Sequence, residues 1–222
     1  MITQEQLNNW QKEAYKTADD NGFNSVKSSE TLMNLLVNSE NFEALDDLRK
    51  GHGIAETWRT DNGWFIMDDV EPNKNQLVVF YDGREGKPCD PFTFSSRMTD
   101  YHPDYTHWKP FKAPTGRRKP CGFLSELSDV CIRIFHLTEF QMITLDAQYV
   151  NVHLDDHQNH FKCETVDEFL STVVRLVSQK RYPKVLALIF GYCKDNNLDI
   201  VGMVEEKMNY NKTRDHLHGN KF

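Results

Sequence analysis

Glu126-Leu127-Ser128-Asp129-Val130-Cys131-Ile132-Arg133-Ile134 decides how this chain is read. Within Leu124–Leu137, the residues Leu124, Leu127, Val130, Ile134 and Leu137 recur at steps of three and four, the period of a helix with one apolar face. Glu126, Asp129 and Arg133 share another face of it. A spacing of three sets the two carboxylates one turn apart. Leu32–Arg49 carries the same device as Glu40-x-x-Glu43, with Asp47 extending the acidic stripe. Its apolar side reads as Leu32, Leu35, Leu36, Phe42 and Leu45, and Gly51 stops it. Two such helices packed together aim Glu40, Glu43, Glu126 and Asp129 into one cleft. Hard oxygen donors at that density suit Mg²⁺ or Mn²⁺, and Mg²⁺ usually binds through a few carboxylates plus substrate phosphates. Each pair alone would be ordinary, because a chain that is 27% charged carries many acidic pairs on solvated helix faces.

Helical signals continue on both sides. Thr3 is positioned to cap a helix that runs to about Asp20, where Leu7, Trp10, Ala14 and Ala18 keep the period and Asn21-Gly22 closes it. Ser28 or Ser29 is the cap expected for the second helix. After the central helix, Val166–Val177 reads as another; Pro183 suits the first turn of the next, which ends at Asn196-Asn197. Asp199 opens a last helix that buries Ile200, Met203, Val204 and Met208.

Between about 57 and 120 the character changes. Most of the prolines fall here, aromatics are dense, and helical period is lost. Trp64-Phe65-Ile66-Met67 and Leu77-Val78-Val79-Phe80-Tyr81 read as strands. The stretch is too long for a plain connection and reads as an insertion with a small β-hairpin and a long loop. The expected fold is mainly α: residues 1–222 form a single domain with a four- or five-helix core and this insertion.

Composition narrows the function. A formal charge of −7 over 222 residues, without a long basic stretch, argues against a general nucleic-acid binder. The opening Met1–Gln6 has neither the basic nor the apolar region of a secretory signal, and the longest apolar run, Val185–Phe190, is far below a membrane span. Cys89, Cys121, Cys131, Cys163 and Cys193 are odd in number and never form C-x-x-C, which fits reduced thiols in a cytoplasmic protein.

The tail runs Glu206-Lys207-Met208-Asn209-Tyr210-Asn211-Lys212-Thr213-Arg214-Asp215-His216-Leu217-His218-Gly219-Asn220-Lys221-Phe222. Lys207, Asn211 and Arg214 form one stripe at i, i+4 and i+7, bordered by Tyr210. An ammonium, an amide and a guanidinium in line are the donors a polyphosphate needs. A basic helix end that complements the macrodipole would account for Lys212 and Arg214 but not for the ordered Tyr-Asn-x-Thr-Arg string.

This tail resembles the K-x-x-Y-N-x-T-R-x-x-x-H-G-x-K ending of MazG-like nucleotide pyrophosphohydrolases, of the all-α NTP pyrophosphatase superfamily. Lys207, Tyr210, Asn211, Thr213, Arg214, His218, Gly219 and Lys221 fall in place. Glu126–Ile134 resembles the family's E-L-A-D-x-x-I-R-x motif, and Ser39–Arg49 its S-E-x-x-E-A-L-E-x-x-R helix. Together the motifs cover about half the chain. The resemblance implies metal-dependent cleavage of a free (deoxy)nucleoside triphosphate to monophosphate and pyrophosphate. It implies Mg²⁺ or Mn²⁺ on Glu40, Glu43, Glu126 and Asp129, with Lys207, Tyr210, Asn211, Arg214 and Lys221 on the substrate. It also implies a homodimer or higher homo-oligomer. MazG itself often opens the first motif with a double Glu, where this chain has Ser39-Glu40.

Other readings are weaker. His153, His157, His160 and Cys163 have a spacing that could hold zinc, but Asn, Gln and Asp fill the gaps and a solvated loop is the default. An HD-type phosphohydrolase is excluded, since the chain has no His-Asp dipeptide. A catalytically silent nucleotide-binding or protein-interaction module on the same helical core is the alternative, and the intact set of carboxylates argues against it.

Overall fold

A computed structural model of the chain describes residues 1–25, 29–61, 64–66, 77–78, 80–82, 87–88, 92–93, 105–108, 119–155 and 163–214. The backbone divides into two compact units, Met1–Glu56 with Gly122–Phe222, and Thr57–Cys121. The fold is mainly helical with a small antiparallel β insertion.

The helical unit is built from α1 (Gln4–Asp20), α2 (Glu30–Arg49), α3 (Phe123–Phe140), α4 (Ala147–Asp155), α5 (Val166–Ser178), α6 (Tyr182–Asp195) and α7 (Ile200–Asn211). Side chains start most of them. The hydroxyls of Thr3, Ser29 and Thr165 and the carboxylate of Asp199 accept from the backbone N–H of Gln6, Leu32, Glu168 and Gly202, each satisfying a donor that the first turn leaves open. Gly51 closes α2 with φ +91° and Gly122 opens α3 with φ +107°, backbone that a side chain would strain. Pro183 lies in the first turn of α6, where its missing N–H costs nothing.

Helix α3 is the axis of the unit, and α1, α2 and α7 all pack against it. It is buried on most sides: Phe123, Leu127, Val130, Cys131, Ile134 and Phe135 have no solvent exposure. A second layer pairs α4 with α6 and sets α5 between α2 and α6. Phe169 stacks on Tyr192 with ring centroids 4.0 Å apart, and Trp10 lies parallel to Phe190 at 6.3 Å.

Helix α2 departs from its expected facing. Leu32, Leu35 and Phe42 are exposed, while Met33, Val37, Glu40, Ala44 and Asp47 are buried. Those five sit at alternating steps of four and three, so the seam facing the core is rotated away from the larger apolar residues. Leucine and phenylalanine outrank the seam residues in hydrophobicity, yet the seam carries Glu40, which has a cationic partner on α3.

The inserted unit holds a six-stranded sheet in the order β5-β4-β7-β2-β1-β8, with β1 Trp58–Asp61, β2 Trp64–Ile66, β4 Phe80–Asp82, β5 Lys87–Pro88, β7 Tyr105–Trp108 and β8 Lys119–Cys121. The strands β3 (Leu77–Val78) and β6 (Phe92–Thr93) form a separate pair. Neighbours run antiparallel throughout, and the two strands read from the sequence do not pair with each other: Trp64–Ile66 lies between β1 and β7, while Leu77–Val78 and Phe80–Asp82 belong to separate sheets. Trp58 pairs with Cys121, so the insertion enters and leaves on adjacent strands.

Candidate functional site

Three carboxylates meet where α2 crosses α3. Glu126 and Asp129 stand one turn apart on α3, and Glu40 reaches them from the buried seam of α2. One oxygen from each of Glu40, Glu126 and Asp129 lies within 4.8 Å of the others. This group can hold a metal ion, and all its donors are hard oxygens. Glu40 and Glu126 are buried, and Asp129 is half-buried.

Burying like charges together is costly, and the site contains two cations that offset it. Arg133, one turn beyond Asp129, brings Nε and Nη2 each to 3.0 Å from Glu40 Oε1. Lys207 on α7 is fully buried; its Nζ donates to Ser125 Oγ at 2.7 Å and to Asp129 Oδ2 at 2.8 Å, and stands 3.8 Å from Glu126 Oε1. Burial pushes the Glu40 carboxyl above its usual range. The Arg133 guanidinium pulls it back, and Asp129 and Glu43 push it up again.

The remaining sequence-selected residues take different positions. Glu43 is exposed on α2 and stands outside the three-carboxylate group, close enough to act on Glu40 through its charge. Arg214 is half-buried at the end of α7, with its guanidinium 5.8 Å from the ring centre of Tyr210. Burial lowers its pKa; Tyr210, Asp129 and Glu40 act against that, and Arg133 adds to it. It forms no ion pair among the described residues. The buried Asn211 Oδ1 has no hydrogen-bond partner among the described residues, and the Asn211 carbonyl accepts from Asn21 Nδ2 at 3.2 Å.

Lys207 corrects the expectation drawn from its stripe. The regular i, i+4, i+7 spacing is there, but its ammonium lies inside the carboxylate group instead of on a surface open to phosphate. Lys221, with His218 and Gly219, lies outside the described residues, as do His157 and His160. Cys163 is half-buried with Sγ 3.9 Å from Thr172 Oγ1.

Sequence reasoning did not assign Ser125 or Arg133 to the site. For Arg133 a signal existed, since it stands at i+4 from Asp129 on the acidic face. Ser125 had none, because its role depends on a lysine 82 positions away.

No protein-family model, curated protein or solved structure matches the chain. Among the described residues no helix is long and apolar enough to cross a membrane.

Proposed function

We propose that the chain is a metal-dependent nucleoside triphosphate pyrophosphohydrolase of the MazG-like kind, cleaving a free (deoxy)nucleoside triphosphate to monophosphate and pyrophosphate. One observation carries the reading: three carboxylates from two helices converge within 4.8 Å, in the two motifs that resemble that family, with Tyr210 on α7, the helix packed against α3, and Arg214 just past its end. The all-oxygen donor set fits Mg²⁺ or Mn²⁺.

Glu40, Glu126 and Asp129 would hold the ion. Bound there, it would supply charge neutralisation of the phosphates and a more acidic water. Glu43, exposed one turn along α2, is the carboxylate assigned to take the proton as water oxygen attacks phosphorus. The anhydride P–O bond then breaks, and its electron pair leaves with pyrophosphate. Arg214 clamps the phosphate chain bidentately, with Tyr210 supporting its guanidinium and Asn211 and Lys221 completing the contacts. Lys207 keeps the carboxylates in place from within. A cytoplasmic setting suits the free thiols of Cys131 and Cys193, both buried.

The test is pyrophosphate release from a panel of ribo- and deoxyribonucleoside triphosphates with Mg²⁺. Monophosphate and pyrophosphate in equal amounts, abolished by EDTA, is the expected result. A diphosphate as first product, or undiminished turnover in excess EDTA, overturns it.

A further inference from the structure

We infer that Lys207 and Arg133 are the resident counter-cations of the carboxylate group, and that they limit the nucleotide-free protein to one divalent ion. The inference rests on reading Glu40, Glu126 and Asp129 as a divalent-cation site. Its content is the number of ions that site accepts and the residues that set the number.

An exposed lysine can swing its ammonium into water when a metal arrives. Lys207 has no such freedom: the whole residue is buried where α7 packs on α3, and its Nζ is held between Ser125 Oγ at 2.7 Å and Asp129 Oδ2 at 2.8 Å. Arg133 is likewise fixed, with two nitrogens at 3.0 Å from one oxygen of Glu40. Three negative charges therefore face two positive ones. Among the described residues that count leaves a single net negative charge, and one divalent ion more than cancels it.

Two-ion sites hold their ions about 3.5–4 Å apart over shared carboxylates. In a group whose oxygens lie within 4.8 Å of one another, a second ion would stand within a few ångströms of both the first ion and the Lys207 ammonium. Repulsion at that range in a partly dehydrated site is strong. Any further ion must bring its own negative charge, as a nucleotide-bound Mg²⁺ does. The lysine thus holds from the protein side the place that a second metal holds elsewhere.

Titration of Mn²⁺ into the full, nucleotide-free chain, with free ion read by electron paramagnetic resonance, measures the number directly. One ion per chain is expected. Two ions in the wild type overturn the inference while leaving the metal site standing; none overturns the metal-site reading itself. Lys207→Gln keeps a donor for Ser125 but removes the charge. It should admit a second ion or bind the first at least about tenfold more tightly. Unchanged number and affinity in a folded Lys207→Gln protein overturn the role given to Lys207. If that variant does not fold, Arg133→Gln serves, its side chain being 26% exposed. Tighter Mn²⁺ binding there supports the inference, and unchanged binding overturns it.

Discussion

Lys207 Nζ donates to Asp129 Oδ2 at 2.8 Å, joining α7 to α3 by an ion pair whose lysine has no solvent exposure. A lysine that the tail motif assigns to substrate is thereby tied to the carboxylates that precede substrate. Removing one partner of such a pair leaves an uncompensated buried charge, at a cost of about 3–5 kcal/mol. Lys207→Ala should therefore lower stability by that amount in urea denaturation, and Mn²⁺ should restore part of it. A variant as stable as the wild type would show that the pair is not holding α7 in place.

Arg214→Ala should behave differently. Its guanidinium forms no ion pair among the described residues, so stability should change by less than about 0.5 kcal/mol. A charge-assisted contact is worth about 1.5–3 kcal/mol, so kcat/KM should fall about tenfold or more with Mn²⁺ affinity unaltered. Loss of Mn²⁺ binding in this variant would assign Arg214 to the metal instead.

The carboxylates should rank by position. Glu126→Gln and Asp129→Asn should each abolish both Mn²⁺ binding and turnover while the protein stays folded. Glu43→Gln should keep Mn²⁺ binding and lose turnover, because Glu43 is exposed and stands outside the three-carboxylate group. Equal loss of Mn²⁺ in all three variants would return Glu43 to the ligand set.

Acid sensitivity should report on His136. Its Nε2 lies 2.8 Å from Asn24 Oδ1, and burial, with a smaller push from Arg133, lowers its pKa from 6.5 to about 4. The unfolded chain therefore binds the proton first. The stability contribution is complete above pH 6.5 and is lost as pH falls through about 4, on the order of 3 kcal/mol in all. Glu40, with its raised pKa, acts in the opposite sense but is common to both proteins compared. His136→Gln should thus flatten the stability profile between pH 6.5 and 4; profiles of equal slope would show that His136 is protonated in the native protein.

Leu32, Leu35 and Phe42 leave α2 with an exposed apolar face, and if the chain self-associates as the proposed reading expects, this face is where a contact can be tested. Light scattering at micromolar concentration should give a mass well above 26.0 kDa, and Phe42→Lys should return it toward that value. A wild-type mass of 26.0 kDa would count against self-association.

Helix starts and stops were legible because they are local. Thr3, Ser29, Asp199 and Pro183 act within a few residues of where they stand, and short-range spacing identifies them. The same holds for Glu126 and Asp129, whose shared face follows from one turn of helix. What α2 buries was not legible. Its facing depends on Arg133, 93 positions away, which makes Glu40 tolerable in a core seam while Leu35 and Phe42 turn outward. The placement of Lys207 failed for the same reason: spacing gives the face of α7, but only the packing of α7 on α3 says what that face meets. Strands of two to four residues, such as Lys87–Pro88, are too short to show an alternating period, so the sheet is larger than the sequence suggests.

The pairing of Trp58 with Cys121 has an architectural consequence. The ends of the inserted sheet are a strand spacing apart, about 5 Å, so a few residues could close the gap between Thr57 and Gly122. The insertion is therefore a cassette: it can be exchanged, lengthened or lost in descent without rerouting the path from α2 to α3. The helices that carry Glu40 and Glu126 can stay fixed while the aromatic segment between them diversifies.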